Sequence, residues 1–317
     1  MITQLNRIKK YLKTNFPNIY LSYRKFKINH PAIFSNYSEF RSKSLAMENA
    51  AGAKRLDICA AEIAYAFHMT GFSGKYPLKE KICLEVGSGW VLTHSIIFYL
   101  LGAKKIISTD YVKLAHPEYI HHAIQNYDLS QIRDILSPFE DHSVLRSRLN
   151  KLKGIKKFDF HLLKTEFGIE YIAPIDLARD SLHEKIDFCY SGSVLEHVTT
   201  NEIMILIQNL SACLNTNGFM FHFIHLEDHD NLDEPFKFYE IPEKVYDLKM
   251  QLERGNRIRM SQWLKLFNEV KSLDHRIIHA WKRTDKEMPK TIDPSIIYES
   301  KEDLITSHIA IMASKKK

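Results

Sequence analysis

Residues 81 to 92 run Lys81-Ile82-Cys83-Leu84-Glu85-Val86-Gly87-Ser88-Gly89-Trp90-Val91-Leu92, and the fold turns on how this run is taken. An apolar segment, Ile82 to Val86, stops abruptly at Gly87-Ser88-Gly89. A short apolar run bounded by glycine suits a buried strand, and glycine tolerates the backbone that a tight turn requires. Val91 to Leu101 then reads as a helix stopped by Gly102, and Lys105-Ile106-Ile107-Ser108-Thr109-Asp110 as a second strand with an acid at its carboxyl end. Strand, helix and strand within about thirty residues make the unit that a parallel crossover needs.

The pattern repeats downstream. Tyr111 to Gly168 is polar and helical in rhythm, too long for an ordinary crossover, and is taken as an insertion. Glu170 to Ile175 is a third strand ending at Asp176, and Ile186 to Ser191 a fourth. An amphipathic helix, Glu202 to Leu214, leads through the turn Asn217-Gly218 to a fifth strand, Phe219 to Ile224. A second insertion, about 226–270, closes in a helix for which Ser261 is the expected N-cap. Arg276 to Trp281 and Ser307 to Ala313 supply two more strands. Strands alternating with helices predict a doubly wound α/β sheet, whose ligands bind beyond the carboxyl ends of the strands. Upstream, residues 1–77 read as a helical extension separate from that core. Ile58, Ala61, Ile63, Ala66 and Phe67 recur near helical spacing, and Gly71 and Gly74 end the helix.

Composition narrows the class. The chain has 317 residues, 45% hydrophobic and 26% charged, which is ordinary for a globular protein. Its net charge of +6 is spread diffusely, without a basic stripe carrying interleaved aromatics, so a nucleic-acid partner is not expected. Cys59, Cys83, Cys189 and Cys213 lie in apolar stretches with no CxxC pair, and read as buried reduced thiols. The amino-terminal residues lack a signal-peptide core and no apolar run is long enough to span a bilayer, so a cytoplasmic protein is expected.

The glycine turn and the acid at the end of the second strand suit any adenosine-containing ligand. A dinucleotide fingerprint needs a third glycine, Gly-x-Gly-x-x-Gly, but Trp90, Val91 and Leu92 follow Gly89 here. Glu85, just before the first glycine, would repel a pyrophosphate and is compatible with a cationic sulfonium and an ammonium group. A nicotinamide oxidoreductase is therefore disfavoured.

Leu84-Glu85-Val86-Gly87-Ser88-Gly89 resembles motif I of class I S-adenosylmethionine-dependent methyltransferases, and the likeness continues in order. Asp110 matches the acid that holds the ribose, and Asp176-Leu177 the position beside the adenine. Ile186 to Val198, which includes Ser191 and Ser193-Val194-Leu195-Glu196-His197-Val198, matches the fourth strand and following turn of the ubiquinone-biosynthesis-like branch. The resemblance implies a seven-stranded, mostly parallel sheet with an antiparallel final strand over residues 78–317. It implies S-adenosyl-L-methionine as cofactor, held by Glu85, Gly87, Ser88, Gly89, Asp110, Asp176, Leu177 and Ser191. In the family a third glycine often stands where Val91 lies. Asp110 also reads as a helix cap, and Asp176 as a plain loop acid.

Methyl transfer is an in-line displacement, and an alcohol acceptor benefits from a general base, usually histidine. His197, His222, His225 and His229 cluster near the ends of strands four and five, with Asp228 beside the last. His225 or His229 is favoured as base, with Asp228 orienting an imidazole. His197 reads equally as a catalytic group or a structural hydrogen bond in its turn, and His222 as a core residue. Ser193 stands where a Glu-x-x-Glu-His metal pattern needs its first acid, and the remaining spacing is no strong signature, so no metal is expected. Arg257 and Arg259, ahead of the last helix, either grip an anionic or hydroxylated substrate or form a solvated basic face. A loose likeness to bacterial surface-glycan methyltransferases, carried by the Asp-His pair and Asn256-Arg257-Ile258-Arg259, points to a small-molecule or glycan hydroxyl as acceptor. Competing readings are a cofactor-binding scaffold without turnover, or a methyltransferase acting on protein or nucleic acid.

Overall fold

The computed structural model describes residues 54–70 and 74–316, so the greater part of the expected amino-terminal extension lies outside the described residues. Seven strands form one sheet: β1 (Ile82–Val86), β2 (Lys105–Thr109), β3 (Ile169–Ile172), β4 (Ile186–Gly192), β5 (Leu214–His225), β6 (Leu273–Lys282) and β7 (Thr306–Lys315). Their order is β3-β2-β1-β4-β5-β7-β6. β1 to β5 pair in parallel, and β7 runs antiparallel to both of its neighbours. The doubly wound α/β sheet expected from the sequence is thus present, with its antiparallel strand inserted between β5 and β6. The chain moves outward from β1 to β3, then returns to lay β4 on the other side of β1. That reversal opens a crevice at the carboxyl ends of β1 and β4, where open α/β sheets bind ligands.

The helices are α1 (Lys54–Thr70), α2 (Thr93–Leu100), α3 (Pro117–Asn126), α4 (Arg133–Leu136), α5 (His142–Lys153), α6 (Phe160–Phe167), α7 (Ile203–Cys213), α8 (Leu248–Arg254), α9 (Met260–Glu269) and α10 (Lys301–Ile305). Helices cover both faces of the sheet, which is why β1 and β4 are nearly continuous in apolar residues. On one face Phe188 packs against Phe67 of α1 and Phe98 of α2, with ring centroids 5.5 Å apart in each pair. On the other, Leu84, Cys189, Met220, Ile309 and Ile311 form one core with Ile207 of α7 and Trp263 and Phe267 of α9.

Two expectations change. α1 is not separate from the core: Leu56, Ala60, Ile63 and Phe67 are fully buried, and Tyr65 meets Phe221 of β5. A boundary at residue 77 cuts through that packing. Ser261 is not the cap of α9, which Arg259 precedes as N-cap; the Ser261 hydroxyl donates to Asp303 instead, at 2.5 Å. The stretch 111–168 holds α3 to α6, and the four cysteines are free thiols. No helix among the described residues is long and apolar enough to cross a membrane.

Candidate active site

Gly87 and Gly89 have φ angles of 75° and 64°, the left-handed region that side chains resist. They use this freedom differently. A Cβ on Gly87 would stand 2.8 Å from Val194 Cγ1 and closer still to Cγ2, so the loop after β1 needs the missing side chain to meet the turn after β4. A Cβ on Gly89 would meet nothing among the described residues within 4 Å. The loop amides are already engaged within the protein. Gly87 and Ser88 N–H both donate to the Thr109 carbonyl at 2.9 Å, and Gly89 N–H donates to Asp110 Oδ2 at 2.9 Å. Ser88 Oγ and Trp90 Nε1 are buried and have no hydrogen-bond partner among the described residues.

Asp110 sits half-buried at the end of β2, its Oδ1 accepting the Val112 N–H at 3.1 Å. Burial raises its pKa, against the opposing pull of the Val112 and Gly89 amides. The Ile175 N–H donates to the Asp110 carbonyl at 2.9 Å, and so draws the neighbouring Asp176-Leu177 turn to the same edge. Asp176 Oδ1 accepts the Ala178 N–H at 3.0 Å, and Asp176 pairs with Arg179; Leu177 is buried in the core.

Glu85 does not face the crevice as expected. It is 1% exposed, and its oxygens accept from Ser95 Oγ at 2.5 Å and Ser108 Oγ at 3.0 Å and lie 3.1 Å from His94 Nδ1. His94 Nε2 is 3.2 Å from Glu62 of α1, which also accepts from the Tyr190 hydroxyl at 2.5 Å. Burial opposes a charge on His94, yet Cys59, Glu62 and Glu85 together hold its pKa well above the ordinary histidine value. The motif I acid therefore anchors the glycine loop to α2 and α1 through a buried network. Glu62, His94 and Tyr190 escape sequence reading because the elements that carry them are far apart along the chain. Ser191 is likewise turned away: side chains alternate along a strand, so it lies on the opposite face from Tyr190, fully buried, 2.7 Å from His222 Nδ1. His222 is a core residue, its pKa lowered by burial to about 3.

Across the crevice the structure brings His197, His225 and His229 together. Ring centroids are 4.4 Å apart for His197 and His229, and 4.3 Å for His225 and His229. A fourth ring, His308, stacks on His225 at 4.1 Å, because β7 pairs antiparallel with β5 and sets the two residues opposite each other. That pairing carried no signal in the sequence. Trp281 continues the row at 5.4 Å from His308 and is 53% exposed. His225 Nε2 lies 2.8 Å from Glu227, whose other oxygen accepts from Arg283 at 3.2 Å. Burial works against a charge on Glu227, but His225, His308 and Arg283 keep its pKa below the usual carboxylate range. Burial lowers the pKa of His197 and takes that of His308 to about 4.

Three substrate-side expectations are corrected. Asp228 orients no imidazole; it is fully buried and pairs with Arg254, tying the loop after β5 to α8. Arg257, 6% exposed, donates to the Ile241 carbonyl at 2.6 Å, pairs with Glu243 and lies over the Tyr246 ring. Arg259, 1% exposed, donates to the Leu226 carbonyl at 2.7 Å and to the Tyr239 hydroxyl. Both guanidinium groups are struts that spend their donors mainly on the second insertion, neither a solvated face nor free hands for a substrate.

No protein-family model matches the chain, and no curated protein sequence does. Matching solved structures include TehB from Haemophilus influenzae, with 15% identity over 75% of this chain and 58% of that one and a TM-score of 0.38. A TehB-like SAM-dependent methyltransferase from Corynebacterium glutamicum has 13% identity over 90% and 100%, TM-score 0.41. Magnesium protoporphyrin IX methyltransferase from Synechocystis has 12% identity over 84% and 80%, TM-score 0.41. The chain spans 58% of the TehB structure and 55% of one from Nostoc punctiforme. Similarity this distant transfers no activity, and the chain's own sheet order carries the fold assignment.

Proposed function

We propose that the chain binds S-adenosylmethionine in the crevice between β1 and β4 and methylates a hydroxyl of a small-molecule or glycan acceptor. One observation carries this reading. The strand reversal sets the glycine loop and Asp110 on one side of the crevice and the histidine row on the other, with Val194 packed on Gly87 joining the two. The residues fit such a cofactor: Asp110 follows β2 with a carboxylate suited to ribose hydroxyls, and Ser88 Oγ and Trp90 Nε1 are buried polar atoms with no hydrogen-bond partner among the described residues. Gly89 leaves room for a ligand against the loop.

When bound, the cofactor supplies an electrophilic methyl group. The chain's own task is to orient the acceptor and remove its proton. His225 is the fitting base. Its Nε2 is held by Glu227, so that a neutral ring carries its proton there and leaves Nδ1 to accept one. Glu227 thereby takes the orienting role expected of Asp228, one residue along.

Calorimetry with S-adenosylmethionine on the full chain tests the reading. Asp110→Ala weakens binding by about 1–3 kcal/mol, the usual cost of leaving buried polar partners unpaired. No measurable affinity in the unaltered protein refutes the proposal. Affinity without methyl release to any hydroxyl acceptor favours a cofactor-binding scaffold.

A further inference from the structure

The turn after β4 and the loop after β5 hold a second constellation. Glu196, His197 and His229 place one potential ligand atom each within 4.8 Å of one another. Glu196 is 1% exposed; its Oε1 accepts the His225 N–H at 3.2 Å and is the ion-pair contact of His229 Nε2, while Oε2 is buried with no hydrogen bond among the described residues. Native structures seldom leave such an atom unpaired, so Glu196 Oε2 calls for a partner. Glu196 Oε1 stands 3.4 Å from His229 Nε2. Two donors each about 2.1 Å from one tetrahedral ion have much the same separation. His197 Nδ1 lies 2.7 Å from the Leu252 carbonyl. A carbonyl only accepts, so Nδ1 carries the proton and Nε2 keeps its lone pair; metal-bound imidazoles are commonly oriented by a carbonyl in this way.

Both ligand-bearing segments are braced before any ion arrives. The Asn256 side chain donates to the Leu195 and Val198 carbonyls at 3.0 Å each, and its N–H donates to the Glu196 carbonyl at 2.7 Å. The buried Asp228–Arg254 pair fixes the loop, and the His229 N–H donates to the Arg254 carbonyl at 3.3 Å. This bracing gives Asn256 and Asp228 work that the sequence did not assign them.

We propose that Glu196, His197 and His229 bind one divalent transition-metal ion of the zinc class. Two imidazoles and a carboxylate suit zinc, cobalt(II) or iron(II), whereas magnesium is held mainly by oxygen ligands. Three protein ligands leave a position open for water or an acceptor oxygen. The His225 ring lies 4.3 Å from that of His229, next to the place where such an oxygen would be held. The sequence argued against a metal because Ser193 breaks the local pattern; the third donor comes from another element, which only the fold brings near. Binding of the ion stands independently of methyl transfer, while its use on an acceptor hydroxyl rests on that reading.

The test uses untagged full-length protein, stripped with a chelator and titrated with Co2+ under visible absorption. A band of low-coordinate cobalt is expected, saturating at one equivalent, bleached by Zn2+ and unmoved by millimolar Mg2+. Loss of a ligand should weaken binding at least about tenfold, the lower end of what even outer-shell changes cause. His229→Ala and His197→Ala should show it, while His122→Ala, at an exposed position on α3, keeps full affinity. Thermal melts establish that each variant is folded, and His197→Ala and His229→Ala lie on different segments, so one failed fold leaves the other. The proposal is overturned by the absence of a saturable site, by equal affinity in both ligand variants, or by Mg2+ displacing Co2+. Calorimetry with S-adenosylmethionine on the same samples separates the two ideas. Cobalt binding without cofactor affinity removes only the methyltransferase reading, and the reverse removes only the metal site.

Discussion

Replacing Gly87 and Gly89 separately with alanine should divide folding from ligand binding. At Gly87 the left-handed φ of 75° costs an alanine about 1–2 kcal/mol. The new methyl also runs into Val194, whose Cγ1 would be 2.8 Å away. Val194 is β-branched and stiff at χ1, so it yields poorly, and overpacking of this kind costs about 1–3 kcal/mol. Gly87→Ala is therefore expected to destabilise the chain by about 2–5 kcal/mol, read from the midpoint of chemical denaturation at unchanged slope. Adding Val194→Ala relieves the clash and leaves the backbone cost, so the double mutant should show a favourable coupling of at least about 1 kcal/mol. Gly89→Ala has a φ of 64° but no neighbour among the described residues within 4 Å. It should lose only about 1–2 kcal/mol of stability, while its methyl enters the space assigned to the cofactor. A Gly87→Ala protein within about 0.5 kcal/mol of the parent, or an additive double mutant, would refute the close-approach argument.

Other outcomes follow from the packing and the charges. Phe67→Ala should cost about 3–5 kcal/mol in denaturation, since the ring is fully buried between Phe139 and Phe188; a loss below 1 kcal/mol, well under that range, would mean that α1 stands apart from the core. Asp228→Asn, which removes the fully buried charge that holds the partly buried Arg254, should destabilise by about 3–5 kcal/mol, and a change within about 0.5 kcal/mol would deny the pair its bracing role. His222 is buried neutral with a pKa near 3 against an ordinary 6.5, so the unfolded chain takes up a proton there before the folded chain does. Stability should fall as pH drops from about 6.5 towards 3, and His222→Gln should flatten that slope; an unchanged slope would contradict the assignment.

The order of the crossover units was legible in the chain because each unit is local. Ile82 to Gly89 and Lys105 to Asp110 each state a strand and its end within a few residues, and burial on two faces writes itself as continuous apolar character. The same locality placed Asp110 at a strand end, although β3 stops at Ile172, short of the Asp176 expected to end it, and gathered His197, His222, His225 and His229 near the ends of β4 and β5. Tertiary structure decided the partners. Whether Glu85 faces a ligand or a helix depends on His94, Ser95 and Ser108, and which acid holds His225 depends on the course of the loop after β5. Arg257 and Arg259 looked like free cations until the insertion folded around them, because burial of a charge is a property of what surrounds it. His308 joined the row only through antiparallel pairing across residues remote in sequence. Hydrophobic rhythm reports one element at a time, whereas donor, acceptor and charge acquire meaning from the atoms set against them in space.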